Sequence, residues 1–270
     1  MNRVRERWAS NEPAVGSFLT IPSARSAEAF GAVGYDWVLV EQQHGAVAQE
    51  SLLHVLQALA LAGSTSLVRV GEADLVGLSR ALDLGAHGIV VPMVSTREQA
   101  IAIAAATRYP PRGTRSLGGA RGYRLPADAN EDVLCIPMIE TPEGVRNAEL
   151  IAKVDGVDAL LLGPADLALC LGLEIGTPEA SRVVLELFGE VVEACGGTDA
   201  VPGYVAMNEQ EARAAIDAGA QLVVYRSDLS VLIAAAKADV AFIESLRRAG
   251  GIVIERSNAV LPQRSGETSV

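Results

Sequence analysis

Residues 66–94, SLVRVGEADLVGLSRALDLGAHGIVVPMV, decide the fold of this chain. Ser66–Val70 is a short apolar run rich in β-formers. Leu75–Leu84 carries its leucines at helical spacing, and Gly85 stands where a helix stops. Gly88–Pro92 is apolar and β-branched again. A strand, a helix and a second strand follow one another with only short polar breaks.

The same alternation runs outward in both directions. Strands are predicted at Gly16–Ile21, Trp37–Glu41, Ser66–Val70, Gly88–Pro92, Leu134–Glu140, Ala159–Leu162, Pro202–Ala206 and Leu222–Tyr225. Helices are predicted at Ser26–Val33, Gln49–Ala62, Leu75–Leu84, Arg97–Thr107, Pro142–Lys153, Pro178–Ala194, Glu209–Ala218 and Leu229–Ala249. Thr141-Pro142-Glu143 and Thr177-Pro178-Glu179 each supply an N-cap, a proline at the first helical position and an acid in the first turn. Eight strands alternating with eight helices in a chain of this length predict a (β/α)8 barrel, an α/β fold. The strands are continuously apolar, as barrel strands buried on both faces are. An open doubly wound sheet is the rival, but no GxGxxG follows the first strand. The barrel is expected to fill residues 1–256 as one domain, with 257–270 as a polar, disordered tail. Tyr109–Asp132, rich in Pro, Gly and Arg, is expected to be a long loop acting as a lid or a subunit contact.

Bulk properties exclude several classes. Half of the 270 residues are hydrophobic and only 4% are aromatic, which suits aliphatic packing. The formal charge of −11 gives a surface that repels nucleic acid and anionic membranes. An anionic substrate would therefore need a local positive centre. Cys135, Cys170 and Cys195 form no CxxC pair, so neither a zinc site nor a disulfide scaffold is expected. A reducing, cytoplasmic setting fits. The first residues lack the apolar core of a signal peptide, and no apolar run is long enough to span a bilayer.

Barrel enzymes carry their chemistry at the C-terminal ends of the strands, and the unusual polar residues fall there. Glu41 and His44 follow the second strand, Arg69 ends the third, Glu140 ends the fifth, and Gly163-Pro164-Ala165-Asp166 follows the sixth. Glu140 and Asp166 come from adjacent strand ends. Two carboxylates there suit a hard divalent cation, or else each is simply an acid at a helix N-terminus. The small residues of the GPAD turn let backbone N–H groups face a ligand anion, or form an ordinary βα turn. Arg69 suits a substrate carboxylate or an enolate oxygen, or else a salt bridge to one of these acids. His44 is the histidine of a strand-end loop. His54 lies in a helix, His87 in a turn, and Asp83 reads as a surface acid near a helix end.

At these residues the chain resembles the HpcH/HpaI class II aldolases, which are divalent-metal, pyruvate-dependent enzymes. The resemblance covers Val15 to Ala249. It rests on GYDWVLVEQQHG, LVRV, ALDLGAHGIVVPMV, ATRYPPRGTRSLG, MIET and VDGVDALLLGPADLALCLG. It implies a barrel of the phosphoenolpyruvate/pyruvate type assembled as a homohexamer. It also implies reversible cleavage of 4-hydroxy-2-oxo acids into pyruvate, or a related 2-oxo acid, and an aldehyde. By the same resemblance Glu140 and Asp166 hold Mg2+, Mn2+ or Co2+. Arg69 stabilises the enolate, His44 takes the proton of the 4-hydroxyl, and Asp83 raises the basicity of His44. The turn at Gly163, Pro164 and Ala165 binds the substrate carboxylate. No Schiff-base lysine is needed, and neither lysine, Lys153 or Lys237, lies in a predicted strand.

The chain also departs from the family pattern. Many members carry Asp-x-Glu-His where this chain has Glu41-Gln42-Gln43-His44, and often a glutamine where it has Met138. Ser116 replaces a glycine, and the segment from Ser116 to Asp132 is short. Glu41 is expected to support the loop or His44, or to contact a metal-bound water. Two other readings stand beside the aldolase. One is a related metal-enolate enzyme acting on an acyl-CoA ester, which the acidic balance disfavours. The other is an inactive barrel that binds a 2-oxo acid.

Overall fold

A computed structural model of the chain describes residues 2–71, 75–118 and 126–249. The tail expected at 257–270 lies outside the described residues, as does part of the loop expected at Tyr109–Asp132. In chain order the elements are α1 (Arg3–Ala9), β1 (Ala14–Leu19), α2 (Ala24–Gly31), β2 (Trp37–Glu41), α3 (Gln49–Leu61), β3 (Thr65–Arg69), α4 (Leu75–Asp83), β4 (Gly88–Val91), α5 (Arg97–Thr107) and α6 (Pro126–Asp132). There follow β5 (Leu134–Ile139), α7 (Pro142–Arg146), α8 (Ala148–Ala152), β6 (Ala159–Leu162), α9 (Pro164–Cys170), α10 (Pro178–Cys195), β7 (Val201–Ala206), α11 (Glu209–Asp217), β8 (Leu222–Ser227) and α12 (Asp228–Ala249). The chain divides into two units, one running to Ser230 and holding the barrel, the other starting at Val231 within α12.

The eight strands pair in sequence order, every pair is parallel, and β8 closes on β1. This is the (β/α)8 barrel that the alternation predicts. Strand and helix ends differ from the sequence expectation by a residue or two, the usual uncertainty of element boundaries. Thr141 and Thr177 cap their helices as expected, accepting from the N–H groups of Gly144 and Ala180. The helix expected over Pro142–Lys153 is two, α7 and α8. The chain turns at Asn147, whose carboxamide donates to the carbonyl of Ser95 at 2.8 Å.

The strands sort their side chains by parity, because successive residues point to opposite faces. Trp37, Leu39, Leu67, Ile136, Met138 and Leu161 pack inside the barrel. Their neighbours Val38, Val40, Val68, Cys135 and Leu160 pack outward, against helical residues such as Leu56, Leu59, Ile103 and Phe188. Gly16 opens the room that Trp37 needs: a Cβ at Gly16 would lie 2.5 Å from the indole.

Three helices were not predicted. α1 closes the base of the barrel. Val4 is fully buried with the interior cluster. The Trp8 indole N–H donates to the carbonyl of Gln221 at 2.8 Å, the carboxamide of Asn2 donates to the carbonyl of Asp132 at 3.1 Å, and Arg5 donates to Val133 and Asp158. α6 ends the segment expected to be all loop. Its Asn130 clamps Tyr109 by accepting from the backbone N–H and donating to the carbonyl. α9 begins inside the GPAD turn. All three cysteines are free. Among the described residues no helix is long and apolar enough to cross a membrane.

Candidate active site

The interior parity continues past the last apolar residue of each strand. Beyond Leu39 comes Glu41, beyond Leu67 comes Arg69, and beyond Met138 comes Glu140. The top layer of the barrel interior is therefore polar, and it lies at the C-terminal mouth. Glu41 and Arg69 are partners in the β2–β3 register.

Glu41 is 2% exposed and both of its carboxylate oxygens are engaged. Oε2 accepts from Arg69 Nε at 2.6 Å. Oε1 accepts from the backbone N–H groups of Gln43 at 2.7 Å and His44 at 2.9 Å. Of the two roles the sequence leaves open, the geometry fits the supporting one: a single carboxylate fixes the arginine and folds the His44 loop back onto the strand end. Gly45 keeps that loop tight, since a Cβ there would meet the Glu41 carbonyl oxygen at 2.6 Å. Gln42 ties the loop to α3 through the Gln49 side chain. The amide oxygen of Gln43 is buried without a partner among the described residues. The His44 ring is exposed.

Arg69 is 8% exposed, and its guanidinium lies over the Phe18 ring at 5.2 Å. Its Nη1 meets the sulfur of Met138 at 3.7 Å. The Met138 thioether thus stands against the arginine.

Glu140 is 2% exposed, and its Oε2 accepts from the backbone N–H of Met93 at 2.8 Å. Met93 adopts a left-handed backbone, φ 58°, which is costly for a residue with a side chain and typical of functional sites. Burial pushes the Glu140 carboxyl above its ordinary pKa. The Met93 N–H pulls it down, the neighbouring Asp166 carboxyl pushes it up, and Arg69 opposes that rise. Gly163 is required here, because a Cβ would fall 2.5 Å from Glu140 Oε1.

Asp166 is half-buried in the first turn of α9. α9 has no side-chain cap, unlike α7, α10 and α11. Pro164 and Ala165 are half-buried beside it. The Asp166 carboxyl is near enough to Glu140 to disfavour its charged form. Their oxygens, with most coordination positions left to water and substrate, fit a hard divalent ion. Among the described residues there is no group of three or more His, Cys, Asp or Glu side chains placed to hold a metal ion.

Asp83 pairs with an arginine. Arg115, 8% exposed and lying 4.6 Å over the Tyr109 ring, donates to Asp83 Oδ1 at 2.7 Å. A Cβ at Gly118 would lie 2.8 Å from the other oxygen. Asp83 thus anchors the segment that follows α5, and among the described residues no hydrogen bond joins it to the imidazole. His87 is structural: its Nδ1 accepts from the Ser66 N–H at 3.2 Å, locking β3 to β4. His54 is exposed on α3. Sequence reasoning missed Met93 and Phe18. Only the position of Met93 just past the end of β4 could have signalled it.

The model of the HpcH/HpaI aldolase/citrate lyase family matches residues 15–235. A 4-hydroxy-2-oxovalerate aldolase of Novosphingobium aromaticivorans is 39% identical over 216 residues, covering 77% of this chain and 82% of that one. A hydroxypyruvate/pyruvate aldolase of Rhizorhabdus wittichii is 35% identical over 253 residues, covering 91% of this chain and all of that one. Among solved structures, an HpcH/HpaI aldolase/citrate lyase family protein from Burkholderia cenocepacia J2315 superposes with a TM-score of 0.82 at 31% identity. That match covers 90% of this chain and 100% of the other.

Proposed function

The chain belongs to the HpcH/HpaI aldolase/citrate lyase family, and on that footing we propose that it is an aldehyde-lyase cleaving 4-hydroxy-2-oxo acids reversibly to pyruvate, or a related 2-oxo acid, and an aldehyde. The observation that supports this reading is the buried Arg69 guanidinium, held by Glu41, with the Glu140 carboxyl near enough to feel both Arg69 and Asp166. Glu140 and Asp166 would hold the divalent cation, Mg2+, Mn2+ or Co2+, which would supply positive charge for the substrate carboxylate and 2-oxo oxygen.

The residues of the chain do the rest. The buried guanidinium of Arg69, fixed at Nε by Glu41, meets the negative charge that gathers on the 2-oxo oxygen. His44 accepts the proton of the 4-hydroxyl. The bond between carbons 3 and 4 breaks. Its electron pair becomes the enolate, carbon 4 leaves as the aldehyde carbonyl, and a proton returned to carbon 3 completes the 2-oxo acid. The uncapped N–H groups at Ala165 and Asp166 suit the substrate carboxylate. Asp83, paired with Arg115, holds the neighbouring segment in this reading.

The reading extends to a cytoplasmic homo-oligomer, a hexamer by resemblance, which sedimentation of the purified protein tests. The decisive experiment is exchange of the pyruvate methyl protons with deuterium, followed by NMR. Exchange that needs added Mn2+ or Mg2+, stops with EDTA and is lost in Glu140→Ala is the expected result. No exchange with any of the three ions would overturn the reading.

A further inference from the structure

The Arg69 guanidinium is held on three sides, and the three holds are unequal. Glu41 Oε2 accepts from Nε at 2.6 Å and carries a charge. The Phe18 ring supports one face at 5.2 Å, and the Met138 sulfur meets Nη1 at 3.7 Å. A thioether is a weak acceptor and an aromatic ring has no net charge, so neither neutralises the arginine. Nη2 has no hydrogen-bond partner among the described residues.

Glu140 is near enough to Arg69 for the guanidinium to favour its charged form. Yet among the described residues no ion pair joins them, and the ion pair of Arg69 is with Glu41. The strand that carries Glu140 meets the guanidinium through Met138 instead, two residues earlier on the same interior face and 1% exposed. The backbone of Met138 is fixed. Its carbonyl accepts from the Val94 N–H at 3.1 Å, beside the Met93 N–H that holds Glu140. Without this side chain the guanidinium, bonded to Glu41 at one corner only, can tilt toward Glu140. Opposite charges attract strongly in a buried site. A salt bridge there would take Arg69 from the substrate and Glu140 from the cation.

We propose that Met138 is a positioning residue, a neutral spacer that keeps the Arg69 guanidinium off the Glu140 carboxylate. The one then stays free for the substrate oxygen and the other for the divalent cation. The proposal rests on the aldolase reading of the barrel mouth. Met138 acts through Arg69 and Glu140 and not on the substrate. Its size and lack of charge do the separating, so an aliphatic side chain of similar volume serves as well as a thioether.

The test is calorimetric titration with Mn2+, without substrate or turnover. The proteins are the wild type, Met138→Leu, Met138→Ala, Arg69→Met and the double variant Met138→Ala with Arg69→Met. Met138→Leu fills the same space and should bind Mn2+ nearly as the wild type does. Met138→Ala should bind it about tenfold to a hundredfold more weakly. The double variant should recover the affinity of Arg69→Met alone, because the competing guanidinium is gone. A role confined to packing gives no such rescue, since the loosened core persists in the double variant. Should Met138→Ala fail to fold, Met138→Val opens a smaller space and should show a smaller loss with the same rescue by Arg69→Met.

Unchanged Mn2+ affinity in Met138→Ala and Met138→Val would overturn the proposal and, in protein that exchanges pyruvate deuterium, leave the aldolase reading intact. A loss that persists in the double variant would overturn it too, by assigning Met138 to packing alone. So would an equal loss in Met138→Leu, which would assign the effect to the sulfur. Absence of both Mn2+ binding and exchange in the wild type would overturn both readings.

Discussion

Replacing Glu41 by glutamine tests whether one carboxylate braces both halves of the site. The substitution keeps the size and one oxygen. That oxygen can still accept from the N–H groups of Gln43 and His44, as Oε1 does now at 2.7 and 2.9 Å. The other position becomes an NH2 group facing Arg69 Nε, donor against donor, where a 2.6 Å charge-assisted bond stood. Arg69 is 8% exposed and cannot shed its charge, so it stays buried with one counter-ion fewer. Removing one partner of a buried pair costs about 3–5 kcal/mol. The lower end applies here, about 3 kcal/mol, because the loop keeps its acceptor and Glu140 remains near the guanidinium. For a domain of this size that corresponds to a fall in Tm of roughly 6–12 °C. Differential scanning calorimetry of the metal-free protein measures it. A double-mutant cycle with Arg69→Met should return a coupling energy of similar size. Pyruvate exchange should slow in the same variant, and Glu41→Asp, which keeps the charge on a shorter arm, should lie between. A Tm and an exchange rate both unchanged in Glu41→Gln would refute the bracing argument.

Gly163→Ala puts a methyl group where Glu140 Oε1 lies, 2.5 Å from the new carbon, and should weaken Mn2+ binding by about tenfold to a hundredfold in calorimetric titration. Gly16→Ala drives a methyl into the Trp37 indole and should cost about 1–3 kcal/mol in urea unfolding. Burial pushes the thiols of Cys135 and Cys195 up to about 12 from an ordinary 9.0. At pH 8 a disulfide exchange reagent should therefore label the exposed Cys170 alone, and the other two only after denaturation. The sign for stability follows. The folded pKa lies above the unfolded one, so what these thiols contribute is present below about pH 9 and is lost as pH rises toward 12. Titrating Cys135→Ala in parallel isolates the Cys135 part.

The fold was legible because parallel barrel strands advertise themselves as apolar runs and their helices as periodic ones. β2 at Trp37–Glu41, β6 at Ala159–Leu162 and α5 at Arg97–Thr107 stand where the pattern puts them. α1 was not, because its charges mask a stripe of only Val4 and Trp8, whose burial is tertiary. α9 hid inside GPAD, where Pro164 reads equally as a turn residue and as a first helical position. In the site, Glu41, Arg69 and Glu140 were legible as polar residues at the ends of apolar strands. That pattern could not reveal that Asp83 would pair with Arg115, a partner from beyond β4 and α5. Nor could it reveal a backbone N–H from Met93, since every residue carries one and only the turn aims it.

The helix that seals the base touches the barrel beneath four different strands. Arg3 donates to Thr65, Asn2 and Arg5 to Asp132 and Val133, Arg5 also to Asp158, and Trp8 to Gln221. Those anchor points are scattered from the first third of the chain to its last strand, so α1 has its full set of partners only on a ring that has closed. The element nearest the beginning of this sequence is then expected to dock late in folding, because its contacts are so distant along the chain. Trp8 offers a probe of the event: its indole N–H meets the Gln221 carbonyl only in the closed ring, and comparing the fluorescence of the wild type with that of Trp8→Phe separates its signal from that of Trp37, buried in β2.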